Sequence, residues 1–166
     1  MKRYFIAIII AFICSSCVGG YSFTGASISP QTKTFFVEHF NNRASIVQPM
    51  LSSELTLALT NKVSSSTTLK SSDDNPDVYF KGTITAYNIT PVSIQGDDKA
   101  AKNRLTITVK ISCVNKQDKK QSFEQSFSRF KDYDSGLSLS DVEESLMKQI
   151  NEELVEDIFN KAFVNW

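Results

Sequence analysis

The sequence predicts an α+β fold, a two-layer sandwich of order β-α-β-β-β-α with two helices packed on one face of a four-stranded mixed sheet. Three observations lead there. "RLTITVKISCV" (104–114) alternates without a fault, which is the mark of a half-buried antiparallel strand. Val142, Leu146, Ile150, Leu154, Ile158 and Ala162 form an apolar stripe at helical spacing near the C-terminus. Between and before them, the apolar period changes in a readable order from strand to helix to three strands to helix.

Each element has its own justification. "TKTFFVEHF" (32–40) is short, aromatic and bounded by polar residues, so it reads as the first strand. "NNRAS" then turns the chain, and Pro49 suits the first turn of a helix, where its missing N–H is not needed. From there Met50, Leu51, Leu55, Ala58, Leu59 and Val63 recur at helical spacing. "SSSTTLKSSDDNPD" is a long polar connection with turn chemistry at Asn75-Pro76. In "VYFKGTITAYNI" the residues Val78, Phe80, Ile84 and Ala86 are expected to share one face. In the next strand Leu105, Ile107, Val109, Ile111 and Cys113 point one way, and Thr106, Thr108, Lys110 and Ser112 the other. "NKQDKK" leads into "QSFEQSFSRF", where Phe123 and Phe127 share a face. The last helix opens with Ser140 and Glu143 at capping-box spacing, and Met147, Val155, Phe159 and Phe163 widen its stripe.

Ahead of this domain the chain carries an address. Lys2 and Arg3 precede an unbroken apolar run, Tyr4–Ile13, which is too short to cross a bilayer and has the length of a signal-peptide core. Ser15 and Ser16 then stand immediately before Cys17, an arrangement that resembles the bacterial lipobox, in which the cysteine is acylated and becomes the first mature residue. Cys14 does not suit that role, because Ile13 is too bulky for the position before it. The alternative is an ordinary signal peptide cut elsewhere, with Cys17 a free thiol. The expected organisation is therefore a lipoprotein signal peptide over 1–16, a lipid-anchored linker over 17–31 and the α+β domain over 32–166.

That organisation narrows the chemistry. With Cys14 removed and Cys17 lipidated, Cys113 has no partner, so neither a disulfide framework nor a zinc spacing is available. Without Lys2 and Arg3 the chain keeps 16 basic residues against 18 acidic ones and has no basic run, a poor profile for nucleic acid. The single histidine, His39, lies in a predicted strand beside Glu38 and reads as structural. Asp73, Asp74 and Asp77 lack the regular spacing of a calcium loop and read as a solvated turn. Asn88-Ile89-Thr90 is a sequon placed in a strand, and is discounted. Cys113 faces the core as a small hydrophobe. No catalytic set, cofactor or metal is expected.

The lipobox, "GGYSF" directly after Cys17 (Gly20, Tyr21, Ser22 and Phe23 carrying the pattern), "PDVYFKGTITAY" and the capped terminal helix together resemble the LPS-assembly lipoprotein family, LptE. Val18 and Gly19, placed between cysteine and motif, depart from its pattern. The chain also ends with its helix, without a long disordered tail. The resemblance implies an outer-membrane lipoprotein that plugs the LptD β-barrel, assists its assembly and helps deliver lipopolysaccharide to the outer leaflet. It also implies that basic residues of the hairpin "QGDDKAAKNR", here Lys99, Lys102 and Arg104, contact lipopolysaccharide. Asp97 and Asp98 weaken the positive potential there, and a solvated hairpin tip is the competing reading. The alternative function is a free-standing periplasmic lipoprotein that regulates an envelope enzyme or binds glycan.

Overall fold

The structure is a computed structural model that describes residues 28–92 and 101–164; the leader, Cys17 and Lys99 lie outside the described residues. In chain order its elements are β1 (Thr34–Val37), β2 (Asn41–Asn42), α1 (Leu51–Ser66), β3 (Lys70–Ser71), β4 (Val78–Val92), β5 (Lys102–Asn115), β6 (Phe123–Asp134) and α2 (Leu139–Phe163). A short 3₁₀ turn, Lys119–Gln121, leads into β6.

Two helices pack on one face of a mixed sheet, as the sequence predicts. The sheet runs β3-β1-β4-β5-β6, with β2 also against β4. β1 lies parallel to β3 and β4, whereas β4, β5 and β6 form an antiparallel meander. Four strands were expected, and the two extra ones are only two residues each, too short to leave a period in the sequence. Asn41 and Asn42, expected to turn, instead pair in parallel with Thr83 and Ile84.

The core lies between sheet and helices. All five predicted inward residues of β5 are buried, in one cluster with Leu51, Leu55, Leu59 and Val63 of α1 and Ile150, Leu154, Ile158 and Phe163 of α2. Near Gly82 of β4 the Phe40 ring lies so close that an added Cβ would stand 2.4 Å from it, so only glycine leaves room there. The turn read at Asn75-Pro76 places Asn75 in the left-handed region, with φ at 47°, which asparagine tolerates better than most residues.

Three local expectations are corrected. The β4–β5 register shifts between Ile84 and Ala86, an irregularity that turns Tyr87 inward in place of Ala86. Pro49 precedes α1, which begins at Leu51. The capping box does not form: the N-cap of α2 is Ser138, and Glu143 accepts a hydrogen bond from the Tyr87 hydroxyl instead. Burial, and then Glu143, push that phenol well above its ordinary range, so it stays a neutral donor.

The strand β6 forms a sheet edge, and its helix-facing positions change character along its length. Phe127 is buried, but Arg129 pairs with Asp157 through two hydrogen bonds of 2.6 and 2.7 Å, and Lys131 pairs with Glu153. Both acidic partners lie on α2. No described helix is long and apolar enough to cross a membrane.

Candidate functional site

The candidate site is the sheet face that no helix covers. Strand alternation builds it, because residues one apart in β4, β5 and β6 point to opposite faces. Strand register then arranges the outward residues in rows: Lys81, Ser112 and Glu124; Thr83, Lys110 and Ser126; Ala86, Thr108 and Ser128; Asn88, Thr106 and Phe130; Thr90, Arg104 and Asp132. Hydroxyl groups dominate the middle rows. Thr108 and Ser128 hydrogen bond to each other at 2.9 Å, and Thr85 donates to the Thr108 carbonyl at 3.3 Å. Each hydroxyl keeps both donor and acceptor capacity, so the surface can meet polar groups of either kind without carrying net charge.

The two ends of this face differ from its middle. At the β1 end Phe36 stacks on Tyr79 with ring centroids 6.0 Å apart, and Glu38 takes the Tyr79 hydroxyl and the Lys81 ammonium. His39 beside it is exposed, and nothing joins it to Glu38 in a catalytic pair. At the opposite end Arg104 forms a two-pronged bond with Asp132, at 2.7 and 2.9 Å, and its guanidinium lies 3.6 Å from the centre of the Phe130 ring. That bond, with the arginine's charge, holds the Asp132 carboxyl below its ordinary range. Lys102 sits one step further out, exposed and opposite Asp134. The structure therefore brings Lys102 and Arg104 to one end of the sheet. Lys99 and Cys17 fall outside the described residues.

Phe130 and Asp132 were not singled out in the sequence, although a signal exists. Phe130 has the opposite parity to Phe123 and Phe127, which already places it on the outer face. Asp132 becomes visible only once β5 and β6 are in register. Asp77 was read as part of a solvated turn, but its carboxylate accepts from the Lys33 N–H at 2.8 Å, the Thr34 N–H at 3.1 Å and the Gln117 amide at 2.9 Å. These bonds lower its pKa to about 2 and tie the start of β1 to the turn after β5. Asp73 and Asp74 stay exposed. Burial raises the Cys113 thiol to about 12, which leaves it inert. Among the described residues no group of three or more metal-ligating side chains gathers.

Fold and face together define a small two-layer α+β domain that presents an uncovered, hydroxyl-rich sheet. The chain belongs to the lipopolysaccharide-assembly family, LptE, whose model matches residues 32–162. Among solved structures it is similar to a hypothetical protein from Chlamydia trachomatis, with a TM-score of 0.54 and 8% identity over 81% of this chain and 99% of that one. A protein from Xanthomonas campestris gives a TM-score of 0.50 at 9% identity, over 82% and 92% of the two chains. A minor lipoprotein from Acinetobacter baumannii gives 0.44 at 17% identity, over 78% and 91%. At such identities the first two likenesses are of fold alone. No curated protein matches the chain.

Proposed function

We propose that this protein is a non-catalytic outer-membrane lipoprotein, anchored through acylated Cys17, that plugs an LptD-type β-barrel and assists its assembly. In that position it helps pass lipopolysaccharide to the outer leaflet. The observation that carries the reading is the open hydroxyl face in a chain of the lipopolysaccharide-assembly family. A barrel lumen is lined with polar groups, and a surface of threonine and serine meets such a wall by hydrogen bonds without burying unpaired charge.

Lys99, Lys102 and Arg104 are the lipopolysaccharide contacts in this reading, the last two at the end of the same face. Asp132 occupies the Nε and Nη2 side of Arg104, which leaves both Nη1 hydrogens to meet a lipid A phosphate. Lys102 supplies a point charge beside it.

The test is co-purification. Changing Thr108, Ser126 and Ser128 together to Lys should abolish recovery of the barrel with this protein while leaving its melting temperature within a few degrees of wild type. Full recovery would remove the open face from the barrel contact. Changing Lys99, Lys102 and Arg104 to Ser should weaken lipopolysaccharide binding at low salt, and less so at high salt, where screening already weakens the wild type. Barrel association should stay intact. Unchanged binding would take the hairpin out of the ligand site.

A further inference from the structure

The far part of β4 has a free edge. β1 pairs with its start, at residues 78–80, and β2 with Thr83 and Ile84; beyond that point no described strand lies on this side. Asn88, Ile89, Thr90 and Pro91 are all exposed there. Which backbone groups face the edge follows from the ladder. The Ile84 carbonyl accepts from the Arg43 N–H at 2.9 Å, so Ile84 turns away from β5, and Val109 opposite it turns toward β6. Antiparallel ladders alternate, so Ile107, Leu105 and Asn103 also turn toward β6. Their partners on β4, which are Tyr87, Ile89 and Pro91, therefore turn away from β5. The Thr108 carbonyl takes the Thr85 hydroxyl, in agreement with the intervening β5 residues facing β4. Tyr87 and Ile89 thus offer N–H and C=O to the open side, and Pro91 a C=O alone.

Two further features mark this edge. It carries no charge: residues 85–92 read TAYNITPV, whereas the opposite edge, β6, carries Glu124, Arg129, Lys131, Asp132 and Asp134. Charges and prolines are the usual guards of a strand edge, and here Pro91 stands alone. The loop that starts at Arg43, where the open edge begins, also carries Ile46, Val47 and Met50, which are 51–60% exposed. Backbone donors and acceptors repeating about every 7 Å, two residues along a strand, are complementary to another extended backbone. We propose that the β4 edge at residues 87–91 accepts an extended segment of the barrel partner as an added strand. Its polar side chains continue the rows of Ala86, Asn88 and Thr90 on the open face, and its apolar ones fall beside Ile89 on the helix side. The proposal rests on the open-face reading for the identity of the partner, because the added strand enlarges that same face.

The experiment is amide hydrogen exchange on the full chain, read residue by residue by mass spectrometry, alone in detergent micelles and in complex with the barrel recovered from cells. Alone, the Ile89 amide should exchange at least about a hundredfold faster than those of Asn88 and Thr90, which bond to β5. In the complex it should slow about a hundredfold. Ile89→Pro removes an N–H that serves no bond to β5, so the sheet keeps its ladder, and barrel recovery should fall at least about fivefold. Ile89→Ala keeps the N–H and loses only the side chain, and should lower recovery about twofold or less. An Ile89 amide that exchanges equally fast in the complex, or equal recovery with the two variants, would overturn the proposal. The exchange measurement needs no variant, so it decides even where Ile89→Pro disturbs the fold. Protection of Ile89 that grows with concentration in barrel-free protein would assign the edge to a second copy and overturn this partner. The two readings separate cleanly. If wild type recovers the barrel but Ile89 stays unprotected, strand addition fails alone; if the Lys variants of the open face keep full recovery, the face reading fails.

Discussion

The two faces of the β4–β5–β6 meander come from the same strands, yet they answer to different constraints. On the helix side, Ile107, Val109 and Ile111 are fully buried, where close packing makes a change of even one methylene felt. On the open side, Thr108 and Ser128 hydrogen bond to each other with no helix over them, and several polar residues would serve equally well there. The difference separates stability from recognition by a single step of the backbone. Substitutions on one face threaten the fold, while those on the other are free to tune a contact.

Four measurements test that division. Leu154 is fully buried in the middle of α2, so Leu154→Ala should lower stability by about 2–5 kcal/mol in chemical denaturation. A loss below about 1 kcal/mol would show that the helix side is loosely packed. Gly82→Ala brings its methyl against the Phe40 ring and should cost about 1–3 kcal/mol through overpacking, with Phe40→Ala in the same chain recovering part of that loss. Absence of such coupling would mean that the glycine serves something else.

Asp77 supports the sheet from the β1 end, and its effect depends on pH. Its folded pKa is depressed to about 2, below the ordinary carboxylate value, so its stabilisation is complete above about pH 4 and lost as pH falls through about 2. Asp77→Asn should melt lower than wild type at neutral pH, and the two melting curves should converge near pH 2. A constant gap across that range would assign the effect to shape and not to charge. The smallest effect is expected on the open face: Ser126→Ala should change stability by less than about 0.5 kcal/mol. A larger loss would make that face part of the fold after all.

What the sequence disclosed follows the same division. The alternation of β5 and the stripe of α2 were legible because burial imposes a period on consecutive residues. The register shift after Ile84 was not, since it adds a step without changing composition, and so Ala86 was expected where Tyr87 stands. The capping box at Ser140 and Glu143 failed for a tertiary reason: Tyr87, 56 residues away in sequence, takes the Glu143 carboxylate. β2 and β3 exist only through pairing with their neighbours. At the candidate site, Lys102 and Arg104 were legible as charges, while the Asp132 and Phe130 partners of Arg104 depend on the β5–β6 register.

The charged fringe of β6 bears on what the molecule avoids. A long strand at a sheet edge offers unpaired backbone groups to any other strand, and identical chains held close together are the readiest source of one. Arg129 and Lys131 point to the helix side and are held there by Asp157 and Glu153. A second copy adding itself to this edge would lay its own side chains against those ion pairs, and two copies meeting edge to edge would set like charges beside each other. The fold thus discourages its own polymerisation without giving up a long edge strand.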